Sequence, residues 1–258
     1  MKTILLLFFF CSMLAQSVIA QADIRLYPSR LFFYQQEGLV QTKTIHLVNR
    51  SAKKIVCRAE ILDWKRDSTG NKIYYPENTL PSSASRIMSV LHNTIVLEPE
   101  EDKEITIRMD MKNGESGFKN SMLFFTQIDT DSLRKGLKIL IQLGVHLYSL
   151  PQKYVEKQVK VNKAIFQDKD STTSLSLDIS NLTQGVIDTE IKADIFSEDG
   201  NRLDESKKVP VSSMPGDSFR VIIPFIKSNK LQNARKIIVY IDNGFEHPLQ
   251  VVEIPFKQ

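Results

Sequence analysis

The segment KGLKILIQLGVHLYSLP, residues 135–151, decides the fold class of this chain. Its odd positions from 137 to 147 are all aliphatic, whereas the even positions between them are mixed. Alternation with a period of two predicts a β-strand with one apolar face. A strand of about fourteen residues would extend about 45 Å, although most strands have about 5–6 residues. One small sandwich cannot cover such a face, so something else must cover the remainder.

The same alternation recurs along the whole chain in short runs that end at turn residues, and no segment after residue 21 has a helical period. The predicted strands of the first half are 24–35, 42–49, 54–64, 72–75, 86–90, 93–97, 104–110, 120–129 and 137–149. Those of the second half are 155–166, 173–180, 186–197, 202–210, 218–225, 235–242 and 248–256. This density of strands predicts an all-β fold of two immunoglobulin-like β-sandwich domains. A short linker near Pro151 would join them and leave a cleft between them.

The N-terminal residues predict export. Lys2, the apolar run 4–13 and the small-residue end at Ala20 are typical of a secretory signal peptide over 1–20. The predicted domains are then 21–150, which contains the long last strand, and 151–258. No later apolar segment is long enough to span a bilayer.

Composition excludes several functions. The formal net charge of +4 becomes +3 once Lys2 is removed, which is too small to indicate nucleic-acid binding. The four histidines have no metal-ligand spacing, and no nucleophile or phosphate-binding motif is present. We therefore expect no enzyme, no catalytic residue, no metal and no cofactor. Cys57, the one cysteine after residue 20, is in phase with its apolar neighbours and is predicted to be buried.

Five motifs in order resemble the periplasmic chaperones of the chaperone–usher pathway of pilus assembly. They are YPSRLFFY (27–34), KTIHLVNRS (43–51), TIVLEPEEDKEITIRM (94–109), SMLFFTQID (121–129) and LKILIQLGVHLYSLP (137–151). The match covers most of the chain after residue 20, and the first domain carries the specific signals. His146 stands where the family usually has a lysine, and Leu150 where it commonly has an arginine, so this chain resembles a divergent member.

The resemblance implies a function for the long strand. In that family the strand is donated to a pilus or related surface subunit that has an incomplete immunoglobulin-like fold, and the subunit is later released at an outer-membrane usher. By position, Leu137, Ile139 and Ile141 match the donated residues. The implied protein is an ATP-independent periplasmic chaperone that needs no cofactor. The alternative is that these three side chains pack inside their own domain, and self-association through the apolar strip also stays open.

The family also holds the subunit's terminal carboxylate with two basic residues in the cleft. Arg30 matches the arginine, and a guanidinium suits a carboxylate because it offers two parallel hydrogen bonds. His146 matches the lysine, which predicts tighter capture below about pH 6.5 if the imidazole becomes protonated. The competing hypothesis is an exported structural or adhesive immunoglobulin-like binding protein, which would have no use for Arg30 beside a free carboxylate.

Overall fold

The computed structural model describes residues 23–111, 116–130, 139–151, 157–169, 172–225, 231, 233–244 and 247–256. Every long regular element in these ranges is a β-strand, which confirms the predicted all-β class. The strands of the first half are β1 (Ile24–Tyr27), β2 (Arg30–Tyr34), β3 (Val40–Asn49), β4 (Ile55–Arg66), β5 (Lys72–Tyr75), β6 (Met88–Val90), β7 (Thr94–Leu97), β8 (Asp102–Asp110), β9 (Lys119–Gln127) and β10 (Gln142–Leu150). Those of the second half are β11 (Val159–Lys169), β12 (Thr172–Asn181), β13 (Ile187–Ser197), β14 (Arg202–Glu205), β15 (Val209–Ser213), β16 (Ser218–Phe225), β17 (Ala234–Asp242) and β18 (Gln250–Pro255).

The strands form four sheets, two in each half of the chain. In the first half one sheet has the order β1-β3-β8-β6, and the other has the order β2-β10-β9-β4-β5 with β7 also paired to β4. In the second half the orders are β11-β12-β16 and β14-β13-β17-β18, with β15 also paired to β13. The pairing of β2 with β10 is parallel, while the other pairs of named strands are antiparallel.

Each pair of sheets encloses its own core. Ile45 and Leu147, from opposite sheets of the first half, are fully buried in one apolar cluster, and Leu175 and Ile195 are fully buried in a second cluster. Two separate cores define two immunoglobulin-like β-sandwiches, as predicted. Cys57 lies in the first core at 1% exposure, and burial raises the pKa of its thiol to about 11. The prediction that this cysteine is buried is therefore confirmed.

Two predicted strands are wrong because each is interrupted. The predicted strand 24–35 is two strands in different sheets, β1 and β2, separated by Pro28 and Ser29. Proline has no N–H to donate to a ladder, and the chain crosses from one sheet to the other at this point. The predicted strand 202–210 is likewise β14 and β15, which pair with different parts of β13.

The long strand predicted over 137–149 is also shorter in the structure. The strand β10 begins at Gln142, opposite Thr126 near the end of β9. Ile139 and Leu140 precede the strand and have no ladder partner in the described part of the chain. The carbonyl oxygen of Ile141 accepts a hydrogen bond of 2.8 Å from the backbone N–H of Gln127, the last residue of β9. Leu137, the signal peptide over 1–20 and part of the predicted linker, at 152–156, lie outside the described residues.

The hairpin between β4 and β5 docks onto β16 of the second sandwich. The backbone N–H of Arg220 donates a hydrogen bond of 2.9 Å to the carbonyl oxygen of Ser68. Arg66 Nε lies 3.3 Å from Asp217 Oδ2 in an ion pair that is largely buried. The Arg66 guanidinium also lies 5.3 Å from the centre of the Phe219 ring. These contacts hold the two sandwiches at one relative orientation.

Replacement of Gly70 by alanine should destabilise this docking. Gly70 has φ +88°, and a Cβ there would lie 3.0 Å from the Phe219 ring across the domain boundary. Gly38 is a matched control, because its φ is +72° but a Cβ would meet nothing within 4 Å. We expect Gly38→Ala to lower the free energy of unfolding by about 1–2 kcal/mol from backbone strain alone. Gly70→Ala should lower it further.

Urea unfolding of the two variants checks this prediction, with the midpoint and the slope compared to wild type. Equal losses for the two variants would mean that the hairpin does not pack on Phe219 in solution.

Candidate functional site

The outer face of the sheet that contains β2, β10, β9 and β4 turns toward the second sandwich and carries a small buried cluster. Its buried members are Trp64, Met122 and Tyr148 from the first sandwich and Met214 from the second. All four are at most 4% exposed. We call these four residues the cleft cluster. They form an apolar floor, and the charged residues of the cleft lie beside it.

Arg30 lies at the start of β2, in parallel register with His146 of β10. Its Nη1 donates to both carboxylate oxygens of Asp188, at 2.8 and 2.7 Å. Asp188 belongs to β13 of the second sandwich, so this ion pair crosses the cleft. The Arg30 side chain is 36% exposed and that of Asp188 is 55% exposed. Arg30 therefore already binds a carboxylate within the chain itself.

His146 is the centre of a hydrogen-bonded chain. Its Nε2 lies 2.9 Å from Nζ of Lys72, and its Nδ1 lies 3.1 Å from the Tyr148 hydroxyl. An ammonium can only donate, so Nε2 must accept. This assigns the proton of a neutral imidazole to Nδ1, which then donates to the Tyr148 oxygen. The Trp64 ring packs edge-on against the imidazole with centroids 5.0 Å apart.

The environment of His146 opposes its protonation. Burial and the nearby positive charges of Lys72, Arg30 and Arg66, only partly offset by Asp188, lower the pKa of His146 to about 3. A second proton on the ring would point at an ammonium group. The tightening below pH 6.5 that the sequence alone predicts is therefore not expected, because His146 stays neutral throughout the physiological range.

Lys72, at the start of β5, is a residue of the site that the sequence analysis missed. Its ammonium lies 5.1 Å from the centre of the Trp64 ring and contacts His146 Nε2. No carboxylate within the described ranges pairs with it. Partial burial, together with Arg66 and Arg30, lowers the pKa of Lys72. A sequence signal for this role is absent, since Lys72 is 74 residues from His146.

Two buried nitrogen donors beside the cleft make no hydrogen bond to another described residue. Among the described residues, Trp64 Nε1 and Arg66 Nε are buried and make no hydrogen bond. Arg66 keeps the ion pair with Asp217, whose own pKa is raised by burial. The unpaired Trp64 N–H favours a ligand that offers oxygen acceptors, such as a carboxylate.

The predicted donor residues differ in their environments. Ile139 is 67% exposed, and its neighbour Leu140 is 49% exposed. Ile141 is partly buried against the core of the first sandwich. The structure therefore brings Arg30 and His146 together and leaves Ile139 open to solvent. Donation by these residues stays a prediction.

Solved structures of fimbrial chaperones share this fold. The class 5 fimbriae chaperone CfaA matches with a TM-score of 0.52 at 12% identity, over 92% of this chain and 100% of its own. A chain of the chaperone–tip adhesin complex of CFA/I fimbriae biogenesis matches with a TM-score of 0.51 at 12% identity, over 91% of this chain and 98% of its own. At this identity the likeness shows the fold, and the resemblance seen in the motifs is confirmed at that level. No protein-family model and no curated protein sequence matches the chain.

The described residues contain no group of three or more histidine, cysteine, aspartate or glutamate side chains placed to hold a metal ion. They also contain no helix with the length and apolar character needed to cross a bilayer.

Acidification should destabilise the wild type more than a His146→Gln variant. The pKa of His146 is about 3 in the folded chain and about 6.5 in an unfolded one. The unfolded state thus binds more protons between these values, so the free energy of unfolding falls as pH falls. The difference between the two proteins should change by up to about 1.4 kcal/mol per pH unit.

Urea unfolding of both proteins from about pH 7.5 to pH 4.5 measures that difference. Since the other titrating groups are common to both proteins, subtraction isolates residue 146. A difference that stays constant over this range would contradict the neutral, buried imidazole.

Proposed function

We propose that this chain is an ATP-independent periplasmic chaperone of the chaperone–usher pathway, a divergent member without enzymatic activity or cofactor. Its clients would be pilus or related surface subunits with an incomplete immunoglobulin-like fold. The observation that carries the proposal is Arg30, which lies in the cleft between two sandwiches and already holds a carboxylate. The shared fold and the exposed apolar residue Ile139 support it.

The strand ladder leaves room for a client strand. β2 pairs with β10 only over His146–Leu150, whereas β9 pairs with it from Gln142 onward. The backbone of Gln142–Val145 therefore has a free edge on the β2 side within the described residues. An extended client segment can add there by main-chain hydrogen bonds, with its terminal carboxylate directed toward Arg30.

The segment before β10 would supply apolar side chains to the client. Ile139 is exposed in the free chain and would become buried in the client's core. Burial of one such side chain contributes about 1.5–3 kcal/mol. Release would then require a client–client strand that fits better, exchanged at an outer-membrane usher.

Arg30→Ala should strongly weaken client capture. A pull-down from the periplasm of the native host, with bound proteins identified by mass spectrometry, compares wild type, Arg30→Ala and Asp188→Asn. We expect the wild type to recover one or a few small exported β-proteins. The amount of these partners recovered by Arg30→Ala should be at least about tenfold lower, because a charge-assisted bond is removed.

Asp188→Asn is the matched control, because it breaks the same interdomain ion pair but keeps the arginine. If both variants lose the partners, Arg30 acts through the orientation of the sandwiches. Equal recovery by wild type and Arg30→Ala would instead support the structural or adhesive hypothesis.

Ile139→Asp should also prevent capture without unfolding the chain. Its side chain is exposed, so the free energy of unfolding should change little, whereas a charge placed in the client's core should lower the affinity at least about tenfold. Ile222→Asp is the matched control, an isoleucine 60% exposed on β16 of the second sandwich. The same pull-down measures the partners recovered by each variant, and thermal unfolding checks that each variant is folded. Loss of partners in both variants, or in neither, would count against donation by Ile139.

A further inference from the structure

We propose that the cleft captures its client by carboxylate exchange: the client's terminal carboxylate displaces Asp188 from Arg30 and gains Lys72, a cation of the cleft that has no counter-ion among the described residues. This inference rests on the proposed function and adds to it the residues that make binding of the client's carboxylate favourable.

The first step concerns Arg30, which is not vacant in the free chain. Asp188 occupies one of its terminal nitrogens with both carboxylate oxygens, at 2.8 and 2.7 Å. More than half of the Asp188 side chain is exposed, so water can replace Arg30 as its partner when it leaves. Asp188 thus stands in the position that an incoming carboxylate would take.

The second step concerns the energy of the exchange. One arginine–carboxylate pair is broken and a similar one is formed, so the swap at Arg30 alone is close to neutral. A client that contacted only Arg30 would gain little over Asp188. The preference for a client carboxylate must therefore come from a further group that Asp188 does not contact.

Lys72 is that group. It has no carboxylate partner in the described ranges, and two nearby cations, Arg30 and Arg66, make its surroundings positive. Its contacts are the Trp64 ring and Nε2 of neutral His146. Neither contact neutralises its charge, so an incoming anion can.

His146 acts here as a positioning residue. By accepting from Lys72 while donating to Tyr148, it holds the ammonium beside the cleft cluster. The residue next to Arg30 on β10 is thus His146, a hydrogen-bond acceptor. The second positive charge of the site belongs to Lys72 on β5.

A groove of about 620 Å³ borders Arg30 and Asp188 on the side of the second sandwich. Its wall includes Glu190, Lys208 and Asp242 but not Lys72, so it provides space only at the Arg30 side of the site. Glu190 and Lys208 are paired with one another at 2.6 Å. The Arg30–Asp188 pair is therefore the ion pair of this groove that an incoming anion can exchange.

Trp64 provides a direct readout, since it is the only tryptophan of the chain and contacts Lys72. The probe is the peptide N-acetyl-Ser-Val-Thr-Val-Ser-Val, synthesised once with a free C-terminal carboxylate and once as the C-terminal amide. Titration of each into the full chain, followed by tryptophan fluorescence, gives two dissociation constants. Their ratio measures recognition of the carboxylate.

The expected results distinguish the two residues. Wild type should prefer the acid over the amide by at least about tenfold. Lys72→Met should reduce this ratio to below about threefold. Asp188→Asn should bind the acid more tightly than wild type, by about tenfold, because the internal competitor is gone.

Two controls match these variants. Lys65→Met removes another lysine that lies over an aromatic ring, that of Tyr75, outside the cleft. Asp178→Asn removes another aspartate that is paired with an arginine, Arg220, on the second sandwich. Neither variant should change the ratio.

Each of the other possible outcomes would contradict either the carboxylate exchange or the carboxylate anchor at Arg30. If Lys72→Met keeps the wild-type ratio while Arg30→Ala loses it, the exchange is wrong and the proposed carboxylate anchor stands. Weaker binding of the acid by Asp188→Asn also overturns the exchange, since Asp188 would then support the site. Equal binding of acid and amide by wild type, or no binding of the acid, overturns both the exchange and the anchor.

Discussion

The parallel pairing of β2 with β10 is the constraint on which the site depends. It places Arg30 beside His146, and it joins a strand near the start of the chain to the last strand of the first sandwich. Because the pairing extends only to His146, the part of β10 that precedes it has one edge without a partner strand in the described ranges. In the proposed function, this single register would determine both where a client carboxylate binds and where a client strand adds.

Two ion pairs between the sandwiches relate this strand pairing to the orientation of the two domains. Arg30 and Arg66 belong to the first sandwich, and their carboxylate partners, Asp188 and Asp217, belong to the second. A buried charge is strongly unfavourable without a partner, so the Arg66 pair favours one orientation of the domains. The Arg30 pair is more exposed and contributes less, which leaves it free to exchange. The Arg66 pair thus fixes the cleft, and the Arg30 pair is the one at which we propose that a ligand binds.

The apolar floor explains why the cleft contains a neutral histidine. Trp64 and Tyr148 remove water from one side of the imidazole, and three cations surround it. Under these conditions the ring serves as an acceptor for Lys72. The positive charge that the resemblance leads one to expect at position 146 is carried by a lysine of a different strand.

The sequence by itself determined the features that follow from local periodicity. Alternation along each strand predicted the all-β class, the two sandwiches and the burial of Cys57, because a period of two separates the faces of a strand without reference to the rest of the chain. Motif resemblance placed Arg30 and His146 at one site. Only the tertiary structure decided that β10 begins at Gln142, since a strand extends only as far as its neighbours do. It alone brought Lys72 and Asp188 to the cleft, because contacts across 74 and 158 residues depend on register and domain packing, which no local pattern encodes.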